Sequence, residues 1–372
     1  MKILAIETSC DETAAAVTRG TQILASVKWT QEVHARFGGV VPSLAKRAHE
    51  ERIESIINQA MSNAKSTKDD IGAIAVTVGP GLAMALEVGI KWAKKLAQEW
   101  HKPLIGVNHI EGHILSVLAS ISPSSVPPLK FSPLARGFAV RGGIKEGDIS
   151  FPCLALVISG GHTQIIRVDE IGKYKVLAQS LDDDIGEALD KGARMLGLPY
   201  PGGPALEKLA AMGNPKKYNL PLPMAGRENR KAFSYSGLKT AFWRLTNELR
   251  IRKNALREHE LGKQEVCNLA ASFQKRVFEH LLKILKTVIR NSSFDIRDLL
   301  VGGGVAANQT LKKQLEELGK EMGINVRYPA NLMLCTDNAA MVGVAAGFKA
   351  AKGEFSNPEK IDRLPRWRVD EK

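Results

Sequence analysis

The sequence has little of what would place a chain outside the cell or across a membrane. Only four cysteines occur in 372 residues. Cys10, Cys153, Cys267 and Cys335 form no C-x-x-C pair, so no disulfide framework is expected and a reducing cytosol suits the chain. No apolar run approaches the roughly 18 residues that a transmembrane helix needs. Met1 and Lys2 lead straight into an apolar strand pattern, with no secretory signal and no Arg-rich transit segment. Glycine and proline show no collagen-like period. A P-loop of the G-x-x-x-x-G-K-[ST] type is absent, as is a spaced Rossmann fingerprint.

What is present is globular. The chain is 44% hydrophobic and 24% charged, which excludes a disordered protein. Its length favours two domains. The net charge of +13 favours an anionic partner such as nucleic acid or a nucleotide. Strand-like runs alternate with amphipathic helices, the pattern of an α/β fold. Residues 3–8, 14–18 and 22–29 read as strands. Ile53, Ile56, Ile57, Ala60 and Met61 mark one helix. Leu82, Leu86, Ile90, Ala93, Leu96 and Trp100 mark a second, and Val266 to Val288 a long third. Such stripes are core faces.

A weak internal repeat organises the chain. Residues 4–17 (LAIETSCDETAAAV) and 154–168 (LALVISGGHTQIIRV) each read as strand, short turn of small residues, strand. Two such units facing one cleft are how the actin, Hsp70 and sugar-kinase superfamily holds nucleotide phosphates. Between the halves, residues 121–150 hold Pro123, Pro127, Pro128 and Pro133 without periodicity and read as a loop, linker or insertion.

His109 and His113 stand at i, i+4, on one helix face and spaced to share a metal ion. Glu111 lies at the third position of the segment rather than the second. It points about 200° from His109, so a zinc-protease arrangement is not expected. Asp337 could complete a site or simply cap the helix pattern that follows. Four glycine turns could hold anions through backbone N–H groups: Gly79-Pro80-Gly81, Ser159-Gly160-Gly161, Gly202-Gly203 and Gly302-Gly303-Gly304. Residues 226–257 carry nine basic residues against two acidic ones, over half the surplus of +13. Phe233, Tyr235, Phe242 and Trp243 are interleaved there. The segment suits a nucleic-acid surface, with Arg250 and Arg252 on backbone phosphates, or a solvated helix with core aromatics.

Together these segments resemble the tRNA adenosine threonylcarbamoyltransferase family, bacterial TsaD type, formerly labelled O-sialoglycoprotein endopeptidase. The matching runs are 6–14 IETSCDETA, 37–42 FGGVVP, 78–82 VGPGL, 108–113 NHIEGH, 157–164 VISGGHTQ, 189–204 LDKGARMLGLPYPGGP, 233–240 FSYSGLKT, 302–308 GGGVAAN and 335–338 CTDN. RLPRW at 363–367 is similar to the family's tail. Ser43, Glu87 and Leu189 depart from the pattern.

The resemblance implies two actin-like (ASKHA, RNase H-like) domains with the active site in the cleft between them. Their bounds would be 1–120, completed by a helix at 338–352, and 151–337, with a tail at 353–372. It implies transfer of threonylcarbamoyl from threonylcarbamoyl-AMP to N6 of adenosine 37 in tRNAs reading codons that begin with A, with release of AMP. A same-fold carbamoyltransferase with a non-tRNA acceptor is the alternative. One divalent metal, Fe(2+) or Zn(2+), would sit on His109, His113 and Asp337. Val157, Ile158, Ser159, Gly160, Gly161, Asp190, Gly203, Glu207 and Asn308 would contact the donor, with Gly302–Gly304 against adenine. Asp11 and Glu12 are candidate bases. Implied partners are tRNA, ATP or ADP, a weak paralogue of TsaB type, a small P-loop ATPase of TsaE type and the upstream threonylcarbamoyl-AMP synthase. A cytoplasmic, bacterial setting is expected, with no membrane.

Overall fold

The computed structural model describes residues 1–121, 145–226, 230–252 and 261–371. The 121–150 linker therefore falls largely outside the described residues. Two sheets dominate the fold. In the first, β1 (Lys2–Glu7), β2 (Glu12–Arg19) and β3 (Gln22–Thr30) form an antiparallel meander, and β4 (Ile71–Gly79) and β5 (Leu104–Asn108) add in parallel beside β1. The short β6 (Ser120–Ile121) closes the far edge, giving the order β5-β4-β1-β2-β3-β6.

The second sheet repeats this plan. β7 (Cys153–Ile158), β8 (Thr163–Glu170) and β9 (Lys173–Ser180) make the meander. After the short β10 (Ala232–Phe233), β11 (Asp298–Gly302) and β12 (Asn325–Arg327) add in parallel beside β7. The order is β10-β9-β8-β7-β11-β12. The internal repeat read from sequence is thus β1–β2 and β7–β8. Their turns, residues 8–11 and 159–162, both line one cavity.

Burial explains the strands. β1 and β4 are covered on both faces, which is why they read as continuous apolar runs. In β2 the alternation separates two layers: Ala15 and Val17 face α1 (Pro42–Asn63) and α2 (Ala83–Glu99), while Ala14 and Ala16 face the middle of the molecule. Buried there are α3 (His109–Leu115) and α9 (Ala339–Ala351), between the inner faces of the two sheets. α9 packs on β1, β2 and β3. It comes close because its facing residues are small: a Cβ on Gly343 would stand 2.6 Å from the Thr18 side chain. The outer face of the second sheet is covered by α4 (Ile185–Met195), α5 (Gly202–Ala210), α6 (Ser236–Arg252), α7 (Lys263–Arg290) and α8 (Gln309–Met322). The expected stripes of α1, α2 and α7 are buried at nearly every named position; Leu82, Trp100 and Val266 are only half-buried.

The last described residues form a strap across the first sheet. Ser356 pairs with Leu104, and the Leu364 N–H donates to the Val78 carbonyl (2.7 Å). The Gly81 N–H donates to Pro365, and Asp370 accepts from Val176 N–H (3.1 Å) in the second sheet. Glu87, a departure from the family pattern, is explained here: it pairs with Arg363 of the strap (3.1 Å) and Lys46 of α1 (3.3 Å). Leu189, another departure, fills the second core, and no contact explains Ser43. Gly79 makes the seat, because a Cβ there would fall on the Leu364 carbonyl oxygen. Gly79→Ala is therefore expected to lift the strap. Limited proteolysis should then cleave within 357–368 at least about tenfold faster than in wild type, a drop of at least about 1.4 kcal/mol in the free energy of opening. An unchanged cleavage rate would show that the strap does not need this contact.

Candidate functional site

The two histidines are placed by one helix start. The Asn108 side chain caps α3, accepting from the N–H groups of Ile110 (2.9 Å) and Glu111 (3.3 Å). His109 and His113 then lie one turn apart on the same face. Opposite them, Asn338 caps α9 by accepting from Met341 N–H (2.9 Å). The cap is thus Asn338 and not Asp337, which leaves the Asp337 carboxylate facing the histidines. Its Oδ1 lies 3.1 Å from His113 Nε2 and 3.5 Å from His109 Nε2. The three ligand atoms fall within 4.8 Å of one another. Glu111 faces away, accepting from Tyr174 Oη (3.0 Å) with Lys349 Nζ at 3.9 Å.

Glu7 was not singled out from sequence, although an acidic residue in an apolar strand was the available signal. It is fully buried at the end of β1, accepts from Thr77 Oγ1 (2.6 Å), and holds His109 Nδ1 at 3.2 Å. Ser9 Oγ is also 3.2 Å from that nitrogen. Burial opposes charge on Glu7, His109 and Asp337, but the pairs outweigh it, whereas at His113 burial wins and lowers the pKa. His109 is pushed well up by Asp337 and Glu7, and Asp337 is held well below the usual carboxylate range by the histidines. His162, inside the S-G-G-H-T run, was also missed. Its ring centre lies 5.9 Å from that of His109, and burial holds it neutral, with its pKa down at about 3.

All four glycine turns send residues into one cavity of about 1380 Å³ between the sheets. Ser159, Gly160, Gly161, Asp190, Gly203, Glu207 and Asn308 line it, as do Asp11, Glu12, His109 and Asp337. Asp190 Oδ1 accepts from Gly202 N–H (2.8 Å) and Gly203 N–H (2.9 Å), which fixes the start of α5. Glu207 accepts from Gln309 N–H (2.7 Å), and Asn308 caps α8. Lys28 reaches Thr336 Oγ1 (2.8 Å) and stands 3.8 Å from Glu12. Val157 and Ile158 do not line the cavity. They end β7, where a buried strand turns its side chains into the two cores.

The basic segment divides. Phe233, Tyr235 and Phe242 are fully buried, so these aromatics are core; Trp243 is 52% exposed. Arg250 donates to the Met195 carbonyl and Arg252 pairs with Glu248. Arg250 is therefore built into the fold. Residues 227–229 and 253–260 of that segment lie outside the described residues.

Two β-meander sheets in one order, with glycine turns converging on the cleft between them, define the actin-like (ASKHA) class of α/β protein. The full-length HypF structure titled as the phosphate- and nucleotide-bound form shares this fold. Its TM-score is 0.54 at 13% identity, covering 95% of this chain and 56% of that one. The family model described as tRNA N6-adenosine threonylcarbamoyltransferase matches residues 22–137 and 134–344. A protein of that name from Moorella thermoacetica is 42% identical over 368 residues, covering 98% of this chain and 96% of the relative. One from Bartonella henselae is 41% identical over 388 residues, covering 100% and 96%. The chain belongs to the tRNA N6-adenosine threonylcarbamoyltransferase family.

Proposed function

We propose that the chain transfers the threonylcarbamoyl group from threonylcarbamoyl-AMP to N6 of adenosine 37, just 3′ of the anticodon, in tRNAs reading codons that begin with A, and releases AMP. The observation that carries this reading is the meeting of His109, Asp337 and all four glycine turns on one cavity in a chain of this family. The donor is an activated mixed anhydride, so the site needs no nucleophile of its own. The N6 amine attacks the carbonyl carbon and a C–N bond forms. The C–O bond to phosphate breaks, AMP leaves with the electron pair, and the amine gives up a proton. Asp11 and Glu12, both on the cavity wall, are within the site to receive it. The N–H groups of Gly81, Gly202 and Gly203 are taken by Pro365 and Asp190, so the backbone of Gly160, Gly161 and Gly304 is what suits the phosphate and the developing oxyanion. Ser159–Gly161, Asp190, Gly203, Glu207 and Asn308 are assigned to the donor.

His109, His113 and Asp337 fit one divalent ion, iron or zinc. Bonds of about 2.0–2.1 Å at tetrahedral angles set ligand atoms about 3.4 Å apart, and the two Nε2 atoms stand 3.1 and 3.5 Å from Oδ1. When bound, such an ion supplies a Lewis acid for developing negative charge. Glu7 then acts as a positioning residue, fixing the His109 ring through Nδ1. Glu7→Gln should weaken metal affinity by roughly 10–100-fold, read by competition with a chromophoric chelator. An unchanged affinity would remove Glu7 from that role.

The same reading assigns residues 1–120 with 338–352 to the first domain and 151–337 to the second, supported by the packing of α9 on the first sheet. It also assigns a TsaB-type paralogue, a TsaE-type ATPase using ATP and an upstream synthase as partners, in the cytoplasm. Among the described residues no helix is long and apolar enough to cross a membrane. The test is mass spectrometry of nucleosides from unmodified tRNA after incubation with the chain, these partners and threonylcarbamoyl-AMP. Threonylcarbamoyladenosine at position 37 supports the reading. Its absence, with partners shown active alongside another family member, overturns it.

A further inference from the structure

The charged groups on the cavity wall are mostly acidic, yet it carries two arginines with no carboxylate partner among the described residues. Asp11, Glu12, Glu32, Glu187, Asp190, Glu207 and Asp337 all line it. Each nearby carboxylate on α4 is already engaged. Asp190 stands four residues before Arg194, the natural spacing for a helix ion pair. Its Oδ1 instead accepts from the N–H groups of Gly202 and Gly203. Glu187 pairs with Lys191 (2.7 Å), and Lys191 also holds Asp183 (2.6 Å). Arg194 is left exposed, and its one hydrogen bond is a long one of 3.5 Å from Nη1 to the Gly38 carbonyl. Across the cleft, Arg36 is likewise exposed and lines the cavity without an ion pair.

The two guanidinium groups come from opposite lips. Arg194 belongs to α4 on the second sheet. Arg36 belongs to the turn at Glu32–Phe37 that follows β3, whose end is Gly38 at φ +66°. The Arg194–Gly38 contact is where the lips meet. Beside it the wall is bare: a Cβ atom added at Gly39 would meet nothing within 4 Å. A bare rim flanked by two uncompensated planar cations, above an acidic interior, suits a polyanion that crosses the mouth while a neutral base enters. Guanidinium groups bind phosphodiesters through paired N–H donors.

We propose that Arg36 and Arg194 form a two-sided clamp for the backbone phosphates that flank the acceptor nucleotide of a single-stranded RNA loop. The proposal rests on the tRNA reading given above and adds the residues that receive the strand. It separates the strand from the donor, whose phosphate is assigned above to the Gly160–Gly161 backbone.

The experiment uses the full chain with its accessory proteins, unmodified tRNA and threonylcarbamoyl-AMP. Arg36→Gln and Arg194→Gln are each compared with Arg36→Lys and Arg194→Lys. Each Gln variant should raise KM for tRNA about tenfold, with kcat within about twofold and KM for the donor unchanged. The slope of log KM against log salt should flatten by about 0.7 for each single-strand phosphate that is no longer neutralised. The Lys variants should keep the wild-type slope, because they keep the charge. A merely structural arginine would move melting temperature and leave that slope alone. Unchanged tRNA KM and slope, with wild type active on tRNA, would overturn the clamp and leave the tRNA reading standing. A rise confined to the donor KM would also overturn it and move the arginines to the donor phosphate. A wild-type chain that neither binds nor modifies tRNA would overturn both.

Discussion

Asp337→Asn and His109→Ala are each expected to lower threonylcarbamoyladenosine formation by at least about 10²–10³-fold, the usual cost of losing a group that stabilises developing charge. Both should also take bound metal from about one ion per chain to a trace, measured by inductively coupled plasma mass spectrometry. Asp337 brings the only carboxylate of the trio, and its Oδ1 is the atom both Nε2 nitrogens approach. Asparagine keeps the shape and removes the charge, so the packing of α9 should survive. Glu111→Gln is the control. It lies on the same helix between the two histidines, but its carboxylate serves Tyr174 and Lys349. That variant should keep its metal. Full activity in Asp337→Asn, or metal loss in Glu111→Gln equal to that in His109→Ala, would refute the assignment.

Gly303→Ala is expected to destabilise the chain by at least about 3 kcal/mol and to abolish transfer. Gly303 has φ +93°, and a Cβ there would strike the Ile158 carbonyl oxygen at the end of β7. The neighbour is a backbone atom of a central strand, which cannot rotate away. Ile158 leads directly into the cavity-lining turn at Ser159, and Gly303 precedes the cavity-lining Gly304, so any relief must move one of these turns. Gly304→Ala offers the contrast. Its nearest neighbour would be Thr336 Cγ2 at 3.8 Å, an ordinary contact. It should leave the urea midpoint within the change expected for about 0.5 kcal/mol. Equal midpoints for the two variants would show that the β7–β11 junction is soft.

Much of this arrangement was legible in the sequence. The repeat of strand, small turn and strand pointed to the duplicated sheets, because buried central strands must be apolar on both faces and their turns must be small where backbones meet. The i, i+4 histidines and the direction of Glu111 followed from helix geometry alone. Glu7, His162 and Lys28 were not legible, because each matters through a contact across the cleft or between distant strands. Glu7 meets a residue 102 positions away, and Lys28 meets Thr336 across 308. Asp337 as cap or ligand was undecidable locally, since Asn338 beside it is an equally good cap. The aromatics at 233–243 show the same limit: spacing marks them as aromatic and interleaved with charge, while only packing says which are core.

The strap and the trio also set an order of events during synthesis. His113 and Asp337 are 224 residues apart. At about 5–20 residues per second a ribosome needs roughly 10–45 s to cover that interval. The nascent chain thus carries both histidines, and the bare edge that residues 356–367 later cover, long before their partners exist. The first sheet emerges with neither α9 nor the strap to shield it. The first half of the chain is therefore made as an open half-molecule, and Asp337 joins the two histidines only with the final fifth.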